Sequence, residues 1–207
     1  MNCGHIIIEP QSFSQTPVSN IPIHDVASAW PTVLVLASGR GERFIASGGT
    51  THKLHALLGG QTVLKRTLST VQASGLAWYL ENQGLPGMGD SIAAAVAATP
   101  NANGWLVLPA DLPLIRAETL RAVAQALASH SVVVPVFKGR RGHPVGFGAI
   151  CGPDLQNLQG NRGGAQVIAA WSAMELIVDD VGVCMDIDTL QDLVEAEAWV
   201  QRQAGGA

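Results

Sequence analysis

Hydrophobic residues in this chain gather into short continuous runs, separated by longer stretches in which apolar positions recur every three or four residues. The runs Val33–Leu36, Trp105–Leu108 and Val132–Val136 have the length and β-branched content of strands buried on both faces. Between them, Thr62–Ala73 sets Val63, Leu64, Leu68 and Val71 roughly on one side of a 3.6-residue period, which predicts a helix. Ala77–Leu80 predicts a brief strand. Asp90–Ala98 predicts a helix of small residues behind the Gly87-Met88-Gly89 turn, and Ala117–Ser129 a further helix. Lys138–Gly148 is basic and glycine-rich, a loop or hairpin leading into a strand at Val145–Ile150. Pro153–Leu158 and Gly164–Trp171 read as short helices, and Leu176–Val178 and Val183–Met185 as late strands. Thr189–Arg202 is a closing helix with Thr189 as N-cap and Asp192 in the capping-box position. Strands alternating with helices predict βαβ units. The expected architecture is a doubly wound, three-layer α/β/α domain with a mostly parallel sheet, over residues 31–207.

Residues 1–30 break this pattern. No Lys or Arg precedes Arg40, and Pro10, Pro17 and Pro22 interrupt any regular element. Ile6-Ile7-Ile8 lacks the positive flank of a secretory signal, so this segment reads as an irregular leader. The chain has 207 residues, of which 47% are hydrophobic, and these proportions suit one α/β domain with a sizeable core. A net charge of -4 without any basic block argues against nucleic acid as a partner. No apolar run approaches the roughly 20 residues of a membrane span. Cys3, Cys151 and Cys184 form no CxxC pair, which fits unpaired thiols in a reducing cytoplasm.

Candidate chemistry begins where the first strand ends, at Leu36-Ala37-Ser38-Gly39-Arg40-Gly41-Glu42-Arg43-Phe44, with Lys53 nine residues on. Glycines let backbone N–H groups close on a phosphate, and Arg40, Arg43 and Lys53 supply positive charge. Phe44 stands where a dinucleotide fingerprint needs its third glycine, and no G-K-[ST] ends the loop. A triphosphate loop of another type remains, beside the plainer alternative of a surface turn. Pro109-Ala110-Asp111-Leu112-Pro113 puts a carboxylate at the carboxyl end of a central strand, where ligands bind in open α/β sheets. A lone carboxylate there suits Mg²⁺, which completes its shell with waters and phosphates, whereas a turn-capping aspartate is the structural alternative. Gly87, Gly89, Asp90 and Ser91 form either a loop beside a base and ribose or a simple helix entry. In Lys138–Phe147, cations on flexible backbone suggest capture of a second phosphorylated substrate. His143 is either a phosphate contact or a buried structural residue. Asp186 and Asp188 are read as diverging, one towards the site as a second metal ligand and the other towards the cap of the last helix.

In this order, the motifs Leu36–Phe44 with Lys53, Gly87–Ser91, Leu108–Pro113, Gly142–Phe147 and Asp186–Thr189 resemble the MobA-like NTP transferase family, and most closely its molybdenum cofactor cytidylyltransferase branch. The resemblance spans about Thr32 to Val200. It implies a Rossmann-like nucleotidyltransferase fold and Mg²⁺-dependent transfer of a nucleoside monophosphate, CMP from CTP, to a phosphorylated acceptor of the molybdopterin type. It also implies molybdoenzyme maturation proteins as partners. By similarity, Leu36, Ala37, Ser38, Gly39, Arg40, Gly41, Arg43, Lys53 and Pro109 hold the nucleotide, with Arg43, Lys53 and Asp111 in the catalytic role. Gly87, Gly89, Asp90 and Ser91 lie near base and ribose, Arg141 and His143 near the acceptor, and Asp111 and Asp188 on the metal. The chain departs from the pattern in four places. Ser38 replaces the usual Ala, and the spacer from Phe44 to Lys53 is long enough to act as a mobile tether. The segment between Gly75 and Gly87 has room for only one short strand. Gly160-Asn161-Arg162-Gly163-Gly164-Ala165-Gln166 resembles a G-D-x-G-A-R element with Asn161 and Gln166 substituted. A different phosphorylated acceptor, such as a sugar phosphate or small acid, and a non-catalytic nucleotide-binding or cofactor-delivery role are the alternative readings.

Overall fold

The computed structural model describes residues 29–205, so Cys3 and all but the last two residues of the expected leader lie outside the described residues. In chain order the elements are β1 (Thr32–Leu36), α1 (Glu42–Ala46), β2 (Leu57–Leu58), β3 (Gln61–Thr62), α2 (Val63–Ser74) and β4 (Trp78–Glu81). Then come α3 (Met88–Ala97), β5 (Trp105–Pro109), α4 (Ala117–Ala126), β6 (Val132–Phe137), β7 (Arg140–Arg141) and β8 (Val145–Phe147). The chain ends with α5 (Gly152–Gln156), α6 (Ala165–Ala170), β9 (Met174–Ile177) and α7 (Leu190–Ala204).

The main sheet runs β4-β1-β5-β8-β6-β7, with β9 also paired to β6. β1 lies parallel to both β4 and β5, and β9 lies parallel to β6. Because β8 is antiparallel to both β5 and β6, the strands β4, β1, β5, β6 and β9 all point one way. The sheet is therefore mostly parallel, as the sequence predicts, with short reversed strands at β7 and β8. From β1 the chain steps outward to β4, then returns across β1 to β5. Strand order thus reverses at β1, and a crevice opens between the carboxyl ends of β1 and β5. Open α/β sheets bind ligands at such a switch point.

Alternation along β1 explains its continuous apolar run. Val33 and Val35 enter one core with Leu106, Leu108, Val133 and Val71 of α2. Leu34 and Leu36 enter the other with Val107, Val134, Ile92 of α3 and Leu155 of α5. Helices therefore cover both faces. Among the described residues no helix is long and apolar enough to cross a membrane.

Most predicted elements form within a few residues of their expected limits, and Thr189 caps α7 in a full capping box with Asp192. Three differences bear on the site. The spacer after Phe44 is folded: α1 buries Phe44, a Cβ on Gly49 would stand 2.3 Å from the Phe44 ring, and Ser47 Oγ accepts from the N–H of Leu190. The expected tether is thus a folded segment that packs on Phe44 and on the start of α7. Leu57–Thr62 forms a hairpin across Gly59 and Gly60, both at positive φ, which suits the tight turns favoured between antiparallel strands.

Val181–Cys184 is a 3-10 turn where the sequence predicts a strand. Asp180, 2% exposed, bends the chain there. It accepts from Arg116 N–H at 3.0 Å, Thr119 Oγ–H at 2.6 Å and Gly182 N–H at 2.9 Å. Gly182 lies so close to Leu114 that a Cβ would meet its carbonyl oxygen at 2.1 Å. This turn delivers Asp186 and Asp188 to the crevice. Asp180→Ala would leave buried donors unpaired and should cost about 2–4 kcal/mol in urea denaturation; a loss below about 1 kcal/mol would show that the turn holds without it.

Candidate active site

A cleft of about 800 Å³ opens over the carboxyl ends of β1 and β5. Its floor is the loop after β1, which is held in place from beneath. Ala37 N–H bonds the Glu81 carbonyl at 2.8 Å, and Leu36 C=O accepts from Ala110 N–H at 2.9 Å. Gly41 has φ +67°, a left-handed conformation that favours glycine. A Cβ on Gly39 would meet nothing within 4 Å, so a ligand can approach its backbone directly. Ser38 has a use for its hydroxyl that an alanine would lack. Its hydroxyl bonds Glu81, a carboxyl with no exposed surface whose other oxygen accepts from Gln83 N–H. No cation pairs with Glu81 among the described residues, so these hydrogen bonds are what makes its burial tolerable.

The centre of the cleft is ionic. Lys53 Nζ lies 2.5 Å from Asp111 Oδ2 and 2.7 Å from Asp188 Oδ1, and Arg43 reaches Asp188 Oδ2 at 2.7 Å. Burial pushes the Lys53 amine down, but the Asp111 and Asp188 carboxylates outweigh it and hold the ammonium above its ordinary value of 10.5. Burial raises Asp188, yet hydrogen bonds and charge from Lys53, with help from Arg43, hold it below its ordinary value. Asp186 is pushed the other way, by burial and then by the negative charges of Asp188 and Asp111. Asp186 and Asp188 both line the cleft. The expected divergence of this pair is corrected. Positions two apart in an extended chain share a face, while Ile187 between them is buried in the core. Capping of α7 falls instead to Thr189 and Asp192.

The opposite wall carries α3, the β7 hairpin and His143. A Cβ on Gly87 would meet the Gly160 backbone at 2.3 Å, and one on Gly89 the Gln159 backbone at 2.9 Å. These glycines therefore serve the close approach of the 160–162 turn, and Asp90 accepts from Gly160 N–H at 3.1 Å. Gly87 and Ser91 line the cleft, whereas Gly89 and Asp90 do not. Arg141 lines it too, with its guanidinium paired to Glu175 of β9 at 2.7 Å. His143 is held below its ordinary value by burial, against the opposing effects of the Val107 carbonyl and Asp111. Four buried side-chain atoms lack a hydrogen-bond partner among the described residues. Three of them, Asp111 Oδ1, Ser91 Oγ and His143 Nδ1, belong to residues of this cleft. Each such atom costs about 1–3 kcal/mol unless a ligand or water pairs with it, so their convergence marks a binding site.

The donor set fits a divalent cation of the Mg²⁺ type. Asp111 Oδ1 is a free hard oxygen beside Asp188, and such an ion needs only one or two carboxylates when phosphates supply the rest. No cluster of three or more ligating side chains stands among the described residues, so a full protein cage is not formed.

Of the residues singled out by sequence, Leu36 through Gly41, Arg43, Lys53, Gly87, Ser91, Pro109, Asp111, Arg141, His143 and Asp188 all line this cleft. Asp186, Arg140, Met88 and Asn161, each inside a stretch the sequence singled out, line it as well. The i, i+2 spacing to Asp188 was the available signal for Asp186. Ser38→Ala should lower stability by about 1–3 kcal/mol, and much less in a Glu81→Gln background; equal losses in both would show the two residues to be uncoupled. The raised Asp186 opposes folding when ionised, so stability from this group grows as pH falls towards its ordinary range. Asp186→Asn should therefore raise the thermal midpoint at pH 7 in metal-free buffer, with the gain shrinking as pH approaches 3.8. A gain independent of pH would contradict the charge origin.

A family model for the MobA-like NTP transferase domain matches residues 71–175, half of the chain. The bifunctional protein GlmU of Xylella fastidiosa strain M23 is 27% identical over 155 residues, covering 63% of this chain. The chain spans only 30% of that relative's length. Among solved structures, Rv0371c of Mycobacterium tuberculosis superimposes with a TM-score of 0.69 at 23% identity, covering 81% of this chain and 96% of its own. The same protein has also been solved in complex with manganese. Molybdopterin-guanine dinucleotide biosynthesis protein A of Archaeoglobus fulgidus superimposes with a TM-score of 0.62 at 18% identity, covering 83% of this chain and 99% of its own. At these identities the superpositions speak for a shared Rossmann-like fold, and the matched domain speaks for a nucleotidyltransferase. The chain belongs to the MobA-like NTP transferase family.

Proposed function

We propose that this nucleotidyltransferase moves CMP from CTP to a phosphorylated acceptor of the molybdopterin type, with Mg²⁺, and releases pyrophosphate. The observation that carries the reading is the meeting of the glycine loop, Lys53 and Asp111 in one cleft at the switch point of the sheet. Cytidine and the pterin acceptor are supported by the run Ala37-Ser38-Gly39-Arg40-Gly41-Glu42-Arg43-Phe44 and the ordered motifs downstream of it. A cytoplasmic site of action and hand-over of the product to molybdoenzyme maturation proteins follow from that reading.

The reaction is in-line displacement at the α-phosphorus. An acceptor phosphate oxygen forms a new P–O bond, and the bond bridging the α- and β-phosphates breaks, so both bonding electrons leave with pyrophosphate. A phosphate monoester is largely dianionic at neutral pH, its second pKa being about 6, so the acceptor needs no general base. The cleft accordingly works by alignment and charge. Backbone amides of Gly39–Gly41 cradle the triphosphate. Arg43 and Lys53 balance its charge, and Lys53 exchanges a carboxylate partner for a phosphate oxygen as it does so. Asp111 and Asp188 would hold the cation, which would offset negative charge on the phosphates. Ser91 offers its unpartnered hydroxyl to the nucleotide. His143, held neutral by burial, offers a ring nitrogen on the acceptor side together with Arg141.

Pyrophosphate release should appear with CTP, Mg²⁺ and the pterin acceptor, and not with GTP, ATP or sugar phosphates under the same conditions. Release with a sugar phosphate alone would move the acceptor assignment, and triphosphate binding without release would favour the delivery role. Asp111→Asn should cut turnover by about 100-fold or more with a near-normal thermal midpoint, because Asp188 still pairs with Lys53. Lys53→Ala should lose turnover and stability together, since it strips Asp111 of its cation and leaves Asp188 with Arg43 alone. Near-normal turnover in either variant would remove that residue from the mechanism.

A further inference from the structure

We propose that His52 is a positioning residue that latches the glycine loop to the turn carrying Lys53, so that the two phosphate-binding halves of the cleft form one body. The inference rests on the nucleotidyl-transfer reading of the cleft and adds a residue that neither the motifs nor the resemblance contains. His52 sits at the end of the spacer between Phe44 and Lys53. Its Nε2 lies 2.7 Å from the Gly39 carbonyl oxygen, thirteen residues back. Its Nδ1 accepts from the Leu54 N–H at 3.3 Å and so caps the 3-10 turn Lys53–His55.

Both partners are backbone groups with a single possible role. A carbonyl can only accept, so Nε2 carries the proton; an N–H can only donate, so Nδ1 presents its lone pair. One neutral tautomer satisfies both contacts at once. The ring also packs on the loop: a Cβ on Gly41 would stand 3.2 Å from both Cδ2 and Nε2 of His52. Gly41 is thus held to glycine by its positive φ and by the imidazole beside it. Among the described residues no other side chain hydrogen-bonds the backbone of Gly39–Gly41, although this loop must hold several amides in register for a triphosphate. The folded spacer supplies the reach, because α1 and the Phe44 contact bring position 52 back over position 39.

The two halves of the ring can be separated by substitution. In His52→Asn the side-chain oxygen still caps Leu54 but cannot reach Gly39. In His52→Gln an amide N–H regains the reach of Nε2. Backbone ¹⁵N relaxation of the nucleotide-free protein reads the latch without any reaction. His52→Asn should drop the order parameters of Arg40 and Gly41 from about 0.85 towards 0.6, while those of Lys53–Ala56 and the thermal midpoint stay as in the unaltered protein. The KM for CTP should rise about tenfold, as for one lost hydrogen bond, with kcat within about twofold. His52→Gln should restore the order of the loop and most of the KM. An unchanged, rigid loop in His52→Asn, or equal loosening of loop and turn, would overturn the latch. If the unaltered protein releases no pyrophosphate from any triphosphate, the functional reading fails, and the relaxation pattern still decides the role of His52.

Discussion

The ion pair that the cleft depends on joins three distant parts of the chain. Lys53, carried by a turn after the spacer, lies between Asp111, at the end of β5, and Asp188, just before α7. These residues are 58 and 135 positions apart from Lys53, so the contact forms only when the fold is complete. Without Lys53, three carboxylates would face one another in a partly buried cleft, and their mutual repulsion would oppose closure of the fold there. Asp186 already shows this strain, because its carboxyl resists ionisation beside Asp188 and Asp111. The ammonium does for the ligand-free cleft what a bound divalent cation would do, offsetting the charge of Asp111 and Asp188.

Everything around that pair holds its members in place. Asp111 leaves β5 on a proline-flanked turn, and its carbonyl accepts from Ile187 N–H, which fixes the segment bearing Asp186 and Asp188. Asp180 bends the chain just upstream. Ser38 and Glu81 pin the glycine loop from below, and His52 reaches it from the Lys53 side. The cleft thus combines a rigid frame with a deliberately unsatisfied interior at Asp111 Oδ1, Ser91 Oγ and His143 Nδ1. Rigid support around unpaired polar atoms is the arrangement that binding through charge and alignment requires.

The sequence made the frame legible wherever local rules decide the outcome. The apolar run of β1, the capping box of α7 and the proline-flanked Asp111 are each set by a few neighbouring residues. It was less informative where tertiary contacts override local preference. Val183–Met185 has strand-like residues, but Asp180 and the close approach of Gly182 to Leu114 force a turn. The spacer after Phe44 looked like a tether because no periodicity marks α1, whereas burial of Phe44 and the pressure of Gly49 on its ring fold it down. Gly87 and Gly89 suggested a backbone opened for a ligand; the nearness of Gln159 and Gly160 accounts for both. The role of His52 was invisible, since its two partners are backbone groups that only the fold brings together.

The claim that Lys53 occupies the place later shared with nucleotide and metal is tested most directly by a crystal structure with Mg²⁺ and a non-hydrolysable CTP analogue. In that structure Lys53 Nζ should leave Asp111 for a phosphate oxygen, with the ion bound to Asp111 and the triphosphate on the amides of Gly39–Gly41. An intact Lys53–Asp111 contact, with nucleotide bound elsewhere on the protein, would contradict the account.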